Sequence, residues 1–214
     1  MNAAIFDMDG LLLDSETICL NTFIEACKEV GYDADIAVYL QGIGCNQERS
    51  KQILIEGHPA DFPYTEIKKI WHQLYVAEAY DKPVPLMPGV ISLLEKLTRA
   101  NIVLAVATST SYELALKKLE NANILHYFGV VVGGDQVEQS KPFPEIYLKA
   151  VGLLNCPVSQ SIAFEDSVNG VRAALDAGIE VVQVPNLIAP SAEVISWGHQ
   201  IVDSLAQAEI GFLS

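Results

Sequence analysis

The sequence predicts an α/β protein: a doubly wound parallel sheet that carries an inserted block of helices. Near the start, Ala3 to Phe6 is an apolar run with the length and composition of a strand buried on both faces, and it stops abruptly at Asp7-Met8-Asp9-Gly10. From Gly89 onward, short apolar runs alternate with segments of helical periodicity, the pattern of strands joined by crossover helices. Between these regions, from about Ser15 to Tyr80, helical spacing continues with no strand to interrupt it.

Ser15 is read as an N-cap, after which Leu20, Phe23, Ile24 and Cys27 recur at helical spacing up to a stop at Gly31. Helices are then expected from Ala34 to Gln41, from Gln47 to Glu56, and from Tyr64 to Tyr80 with Ile67, Ile70, Trp71 and Leu74 on one face. This block reads as a small bundle, a helical cap domain of residues 15–81 set into a catalytic α/β core domain of residues 1–14 and 82–214. Its tethers are Leu13 to Ser15 and the proline-rich stretch Asp81 to Pro88. In the second region helices are expected at Val90 to Ala100, Tyr112 to Ala122, Phe143 to Leu154 and Val168 to Ala177. Strands are expected at Ile102 to Ala107, Val130 to Val132, Ser161 to Phe164 and Val181 to Val184. The tail from Ser191 offers a short strand at Gln200 to Val202 and a last helix.

A chain of 214 residues can bury a large α/β core, with or without a small second domain, and needs no partner to fold, so a monomer is the default. No apolar run approaches the ~18 residues of a membrane span, and the N-terminus lacks a basic region before its apolar stretch, so the chain reads as cytoplasmic. The 27 acidic against 13 basic residues give a net charge of -14, which argues against nucleic acid and anionic lipid as partners. The same charge means that any phosphate site must carry its own local cations. Cys19, Cys27, Cys45 and Cys156 are scattered without a C-x-x-C pair and the four histidines are equally dispersed, so no zinc site is expected.

The groups that can do chemistry fall at or just beyond the carboxyl ends of predicted strands, where open α/β sheets bind their ligands. Asp7 and Asp9 follow the first strand, Thr108-Ser109-Thr110 the second, and Glu165-Asp166-Ser167 the strand from Ser161, while Lys141 lies in the loop before the helix near Phe143. Two carboxylates about 4 Å apart at an effective dielectric near 20 repel by about 4 kcal/mol, which calls for a shared proton, a basic side chain or a bound cation. A calcium loop counted from Asp7 fails, because its fifth and twelfth positions are Leu11 and Ile18. The second acidic pair, Glu165-Asp166, favours Mg²⁺ held by few carboxylates, water and substrate phosphate. Thr108 and Ser109, next to backbone N–H groups at a helix N-terminus, can cradle phosphate oxygens, and Lys141 can neutralise a nucleophile and a transferring group. The set suggests one carboxylate as covalent nucleophile, one as acid and base, and the rest for metal.

Phe6-Asp7-Met8-Asp9-Gly10, Thr108-Ser109, Lys141-Pro142 and Glu165-Asp166-Ser167-x-x-Gly170 resemble the four ordered motifs of the haloacid dehalogenase superfamily. The chain is most similar to its sugar-phosphate phosphatase and β-phosphoglucomutase branch, over essentially its whole length. The resemblance implies a Rossmann-like core, a phosphomonoester substrate and an aspartyl-phosphate formed on Asp7, with Asp9 protonating the leaving oxygen and later activating water. It further implies that Thr108 and Ser109 hold phosphate oxygens, that Lys141 stabilises charge, and that Mg²⁺ sits between Asp7, the Asp9 carbonyl and Asp166, with Glu165 either behind these ligands or joined to the ion through water. Dehalogenases of the superfamily lack the second aspartate, so Asp9 points to phosphate hydrolysis.

Mutases of this branch carry a histidine aligned near Cys19 and an arginine aligned near Cys45, and this chain departs from the pattern at both positions. Arg49 is the nearest basic residue to the second. The expectation is therefore a Mg²⁺-dependent phosphatase acting on a small phosphorylated metabolite such as a sugar phosphate, with a β-phosphoglucomutase-type mutase as the alternative. Closure of the cap would exclude water from Asp7 during attack, and reopening would release product.

Overall fold

Strand β1 (Ala3–Phe6) is the centre of the sheet because all of its side chains are apolar and fully buried, alternate ones facing opposite layers. The computed structural model describes residues 2–43 and 47–208. Among these, β1 pairs in parallel with β2 (Val103–Ala107) on one side and β4 (Ser161–Glu165) on the other. The edges are completed by β3 (Val130–Val132) beyond β2, and by β5 (Glu180–Gln183) and β6 (Gln200–Ile201) beyond β4. The order is β3-β2-β1-β4-β5-β6. The chain winds outward from β1 to β3, then returns across β1 to β4, so the topological switch point lies at the carboxyl end of β1.

Alternation along the strands divides the core into two layers. Ala4, Phe6, Leu104, Val106 and Phe164 pack with α5 (Val90–Arg99) and α6 (Tyr112–Asn121), and Phe6 stacks on Phe164 at 4.7 Å between ring centroids. Ala3, Ile5, Ala105, Ala107 and Ala163 pack with α7 (Glu145–Leu153) and α8 (Val168–Asp176). A short helix, α9 (Ala192–Ile195), precedes β6.

Between β1 and α5 lie α1 (Ser15–Glu29), α2 (Ile36–Gln41), α3 (Gln47–Glu56) and α4 (Tyr64–Ala79). They enclose a hydrophobic cluster of their own, with Phe23, Cys27, Tyr39, Leu54 and Ile67 at its centre. Ile18 of α1 and Tyr75 of α4 instead lie against the α/β layer. The two tethers run side by side: Asp14 N donates to Pro85 O at 2.9 Å, and Met87 N donates to Leu12 O at 3.0 Å.

Local chemistry moves several boundaries from where the sequence put them. Ser15 is not an N-cap; Asp14 precedes the helix, and the Ser15 hydroxyl donates instead to Asp9. Asp35 accepts a hydrogen bond from Val38 N at 3.1 Å, which caps α2 and starts it at Ile36 rather than Ala34. Pro144 occupies the N-cap of α7, so that helix begins at Glu145 instead of Phe143. The last helix expected in the tail is a single 3₁₀ turn, Leu205–Gln207, within the described residues. No described helix is long and apolar enough to cross a membrane.

Candidate active site

Three strand ends converge on one ammonium group. Lys141 Nζ donates to Asp7 Oδ1 at 2.5 Å, to Glu165 Oε1 at 2.5 Å and to Ala107 O at 3.0 Å, so its three protons bind the ends of β1, β4 and β2 together. Asp7 is buried, and its backbone N–H continues the sheet by donating to Phe164 O. Burial pushes its carboxyl up to about 8, against the pull of Lys141 and with Glu165 and Asp9 adding repulsion.

Glu165 is completely buried, and both of its oxygens are engaged. Oε1 accepts from Lys141 and from the Tyr147 hydroxyl at 2.8 Å, while Oε2 accepts from Asp166 N, Ser167 N and Ser167 Oγ, each at 3.0 Å. Asp166 turns the other way, toward Gly10. A Cβ at Gly10 would lie 2.3 Å from Asp166 Oδ2, and the turn there has φ +86°, so only glycine fits. Burial, with the charges of Glu165 and Asp7, holds the Asp166 carboxyl well above the usual carboxylate range.

Asp7, Glu165 and Asp166 each offer an oxygen, and these oxygens lie within 4.8 Å of one another. With Lys141 as the cation bonded to this group, the carboxylates outnumber the positive charge, which is the donor chemistry of a hard divalent ion. Asp7 and Asp166 fit as direct ligands; the five hydrogen bonds on Glu165 suit it to orient Lys141.

Asp9 occupies a separate pocket of hydrogen bonds. Its Oδ1 accepts from Ser15 Oγ at 2.7 Å and from Lys118 Nζ at 2.6 Å, and its Oδ2 accepts from Thr110 Oγ1 at 2.7 Å. Burial alone would raise its pKa, but Lys118 and the two hydroxyls hold it below the usual range. The neighbouring aspartates are therefore driven apart in proton affinity. Thr108 is buried and its Oγ1 accepts from Thr110 N, whereas Ser109 is exposed.

Lys118, Thr110, Ser15 and Tyr147 are functional neighbours that the sequence reading did not assign. Lys118 had a signal: it shares the buried face of α6 with Ala115 and Leu119, three residues after one and one before the other, although Lys117-Lys118 looks like a solvated pair. Of the positions that separate mutases from phosphatases, Cys19 borders a cavity of about 340 Å³ walled by Leu54, Trp71, His72 and Tyr75. Arg49 pairs with Glu56 at 3.7 Å on the exposed side of α3, and Cys45 lies outside the described residues. A second cavity of about 270 Å³ lies against Asp166, between Glu16, Ile43 and Asn186.

Comparison with known proteins identifies the lineage of this arrangement. The family described as haloacid dehalogenase-like hydrolase matches over residues 4–184. The chain belongs to that family. Among curated relatives of this haloacid dehalogenase-like hydrolase, the phosphorylated carbohydrates phosphatase of Thermotoga maritima is 35% identical over 180 residues, 84% of this chain and 83% of that protein. Protein CbbY of Cereibacter sphaeroides is 31% identical, covering 97% of this chain and 94% of its own. The crystal structure of CbbY from Rhodobacter sphaeroides in complex with phosphate superposes with a TM-score of 0.72 at 29% identity, over 97% of this chain and 96% of that one.

Proposed function

We propose that this haloacid dehalogenase-like hydrolase is a Mg²⁺-dependent phosphatase that hydrolyses a small phosphorylated carbohydrate through an aspartyl-phosphate. The observation that carries the reading is the division of labour between two neighbouring carboxylates: Asp7 shares Lys141 with Glu165, while Asp9 has Lys118 beside it. The likeness to a phosphatase of phosphorylated carbohydrates supports the substrate class.

In this reading the proton that burial favours on Asp7 passes to Asp9 when substrate binds; ionised Asp7 Oδ then attacks phosphorus, and the bond to the leaving oxygen breaks as Asp9 gives that oxygen the proton. Water then attacks the aspartyl-phosphate, Asp9 takes its proton, and the bond from phosphorus to the Asp7 oxygen breaks to free phosphate and restore the carboxylate. Lys141 offsets charge on Asp7 and on the transferring group, and Thr108 and Ser109 hold phosphate oxygens. Asp7, Asp166 and the Asp9 carbonyl would hold Mg²⁺. When bound, the ion supplies Lewis-acid stabilisation of charge on phosphate oxygens.

Phosphate release from a panel of phosphorylated sugars, sugar acids and nucleotides, with Mg²⁺ and with a chelator, tests this. Release from a phosphorylated carbohydrate should require Mg²⁺ and disappear in Asp7→Asn. Turnover that survives either treatment, or isomerisation of a sugar phosphate without net release, overturns the reading.

A further inference from the structure

Lys118 is a buried ammonium beside Asp9 to which no step of the mechanism above assigns a role. It lies on α6 in phase with the apolar residues of that helix, 1% exposed at its side chain, where leucine or methionine would pack without desolvating a charge. Its contacts come from two directions. From the α/β side, Nζ donates to Asp9 Oδ1 at 2.6 Å; from the α4 side it meets the Tyr75 hydroxyl at 3.0 Å and the rings of Tyr75 and Tyr80 at 5.4 and 5.0 Å. The other partners of Asp9 are the hydroxyls of Ser15 and Thr110, so the carboxylate is held at three points, one of them charged.

We propose that Lys118 is the positioning residue for Asp9: it fixes the carboxylate in the orientation from which protons pass to the leaving oxygen and from water, and Tyr75 and Tyr80 complete its hold. The catalytic geometry of the α/β core thus includes two aromatic side chains at the end of α4. A neutral side chain of similar length, as in Lys118→Met, would leave Asp9 held by one hydroxyl on each oxygen, Ser15 on Oδ1 and Thr110 on Oδ2, without the charged contact that sets its orientation. The inference rests on the reading of Asp9 as acid and base.

The test compares kcat/KM for a phosphorylated carbohydrate, whose alkoxide needs a proton, with p-nitrophenyl phosphate, whose leaving group departs without one. Lys118→Met should lower the first by roughly 10- to 100-fold, the range set by loss of general-acid catalysis, and leave the second within a few-fold. Lys118→Arg should recover part of the loss, and Tyr75→Phe, which removes one hydroxyl, should show a smaller loss of the same selectivity. In an Asp9→Asn background Lys118→Met should cost nothing further, because the group it positions is gone. Equal losses on both substrates, or a full multiplicative loss on Asp9→Asn, overturn the inference. Should Lys118→Met fail to fold, Tyr75→Phe and Lys118→Arg decide it by the same selectivity. Asp9→Asn with wild-type activity on the carbohydrate ester would overturn the acid and base reading itself, whereas an inactive Asp9→Asn beside an unaffected Lys118→Met would overturn this inference alone.

Discussion

Asp7 and Asp9 are separated by one residue and live in opposite electrostatic surroundings. Desolvation dominates at Asp7, whose pKa rises from 3.8 to about 8, while Lys118 and two hydroxyls outweigh desolvation at Asp9. The sign of the linkage follows. A carboxyl whose folded-state pKa lies above its unfolded value favours the folded state fully below about pH 4, and that contribution is lost as pH rises through about 8. A cation held by Asp7 competes with the same proton. Asp166, the other carboxylate suited to the ion, is raised as well, so Mg²⁺ binding near neutral pH should release at least one proton per ion, and its apparent affinity should climb as pH rises toward about 8. Calorimetric titration in buffers of different ionisation enthalpy measures the proton directly. A pH-independent affinity with no proton released would mean that Asp7 is already ionised without metal.

At the scale of elements, the start of α8 shows how tightly the site is built into the scaffold. A Cβ at Gly170 would lie 1.7 Å from Glu165 Oε1, a position that the carboxylate cannot leave without giving up its bonds to Lys141, Tyr147 and the turn at Ser167. Helix propensity alone would make Gly170→Ala stabilising by up to about 1 kcal/mol. Overpacking should reverse the sign and destabilise by about 1–3 kcal/mol, with turnover falling as Lys141 loses its anchor. Urea unfolding reads the sign, and a variant as stable as wild type with full activity would show that Glu165 has room to move. The same scale explains what could be read beforehand. Short apolar strands closed by Asp, Thr or Glu mark their own carboxyl ends, so the sheet and the convergence of Asp7, Lys141 and Glu165 were legible. The side-chain bonds at Asp9 were not, because Ser15 and Thr110 carry the composition of ordinary helix starts and turns. Lys118 was masked by Lys117, which pairs with Asp81 on the surface at 3.0 Å. Proline at position 144 and the Asp35 cap shifted helix starts that periodicity alone placed too early.

The whole molecule sets a field against its own substrate. A net charge of -14 repels a phosphate ester at long range, while the two buried lysines of the site, Lys141 and Lys118, each lie against a carboxylate and project little charge into solvent. Screening acts unequally on these two contributions. With a Debye length of about 30 Å at 0.01 M salt and about 8 Å at 0.15 M, added salt erases the long-range repulsion but leaves short buried contacts nearly intact. The phosphatase reading thus carries an unusual salt signature: kcat/KM for an anionic ester should rise with ionic strength over this range, roughly a few-fold, while kcat stays flat. Initial rates with a non-coordinating salt at saturating Mg²⁺ measure it, and substitution of surface carboxylates far from the site by their amides should reduce the slope. A kcat/KM that falls with salt would show instead that local cations dominate the approach, and would shift attention to the basic residues around the α3 and α4 cavity, Lys51 and Lys68, as the groups that gather the substrate.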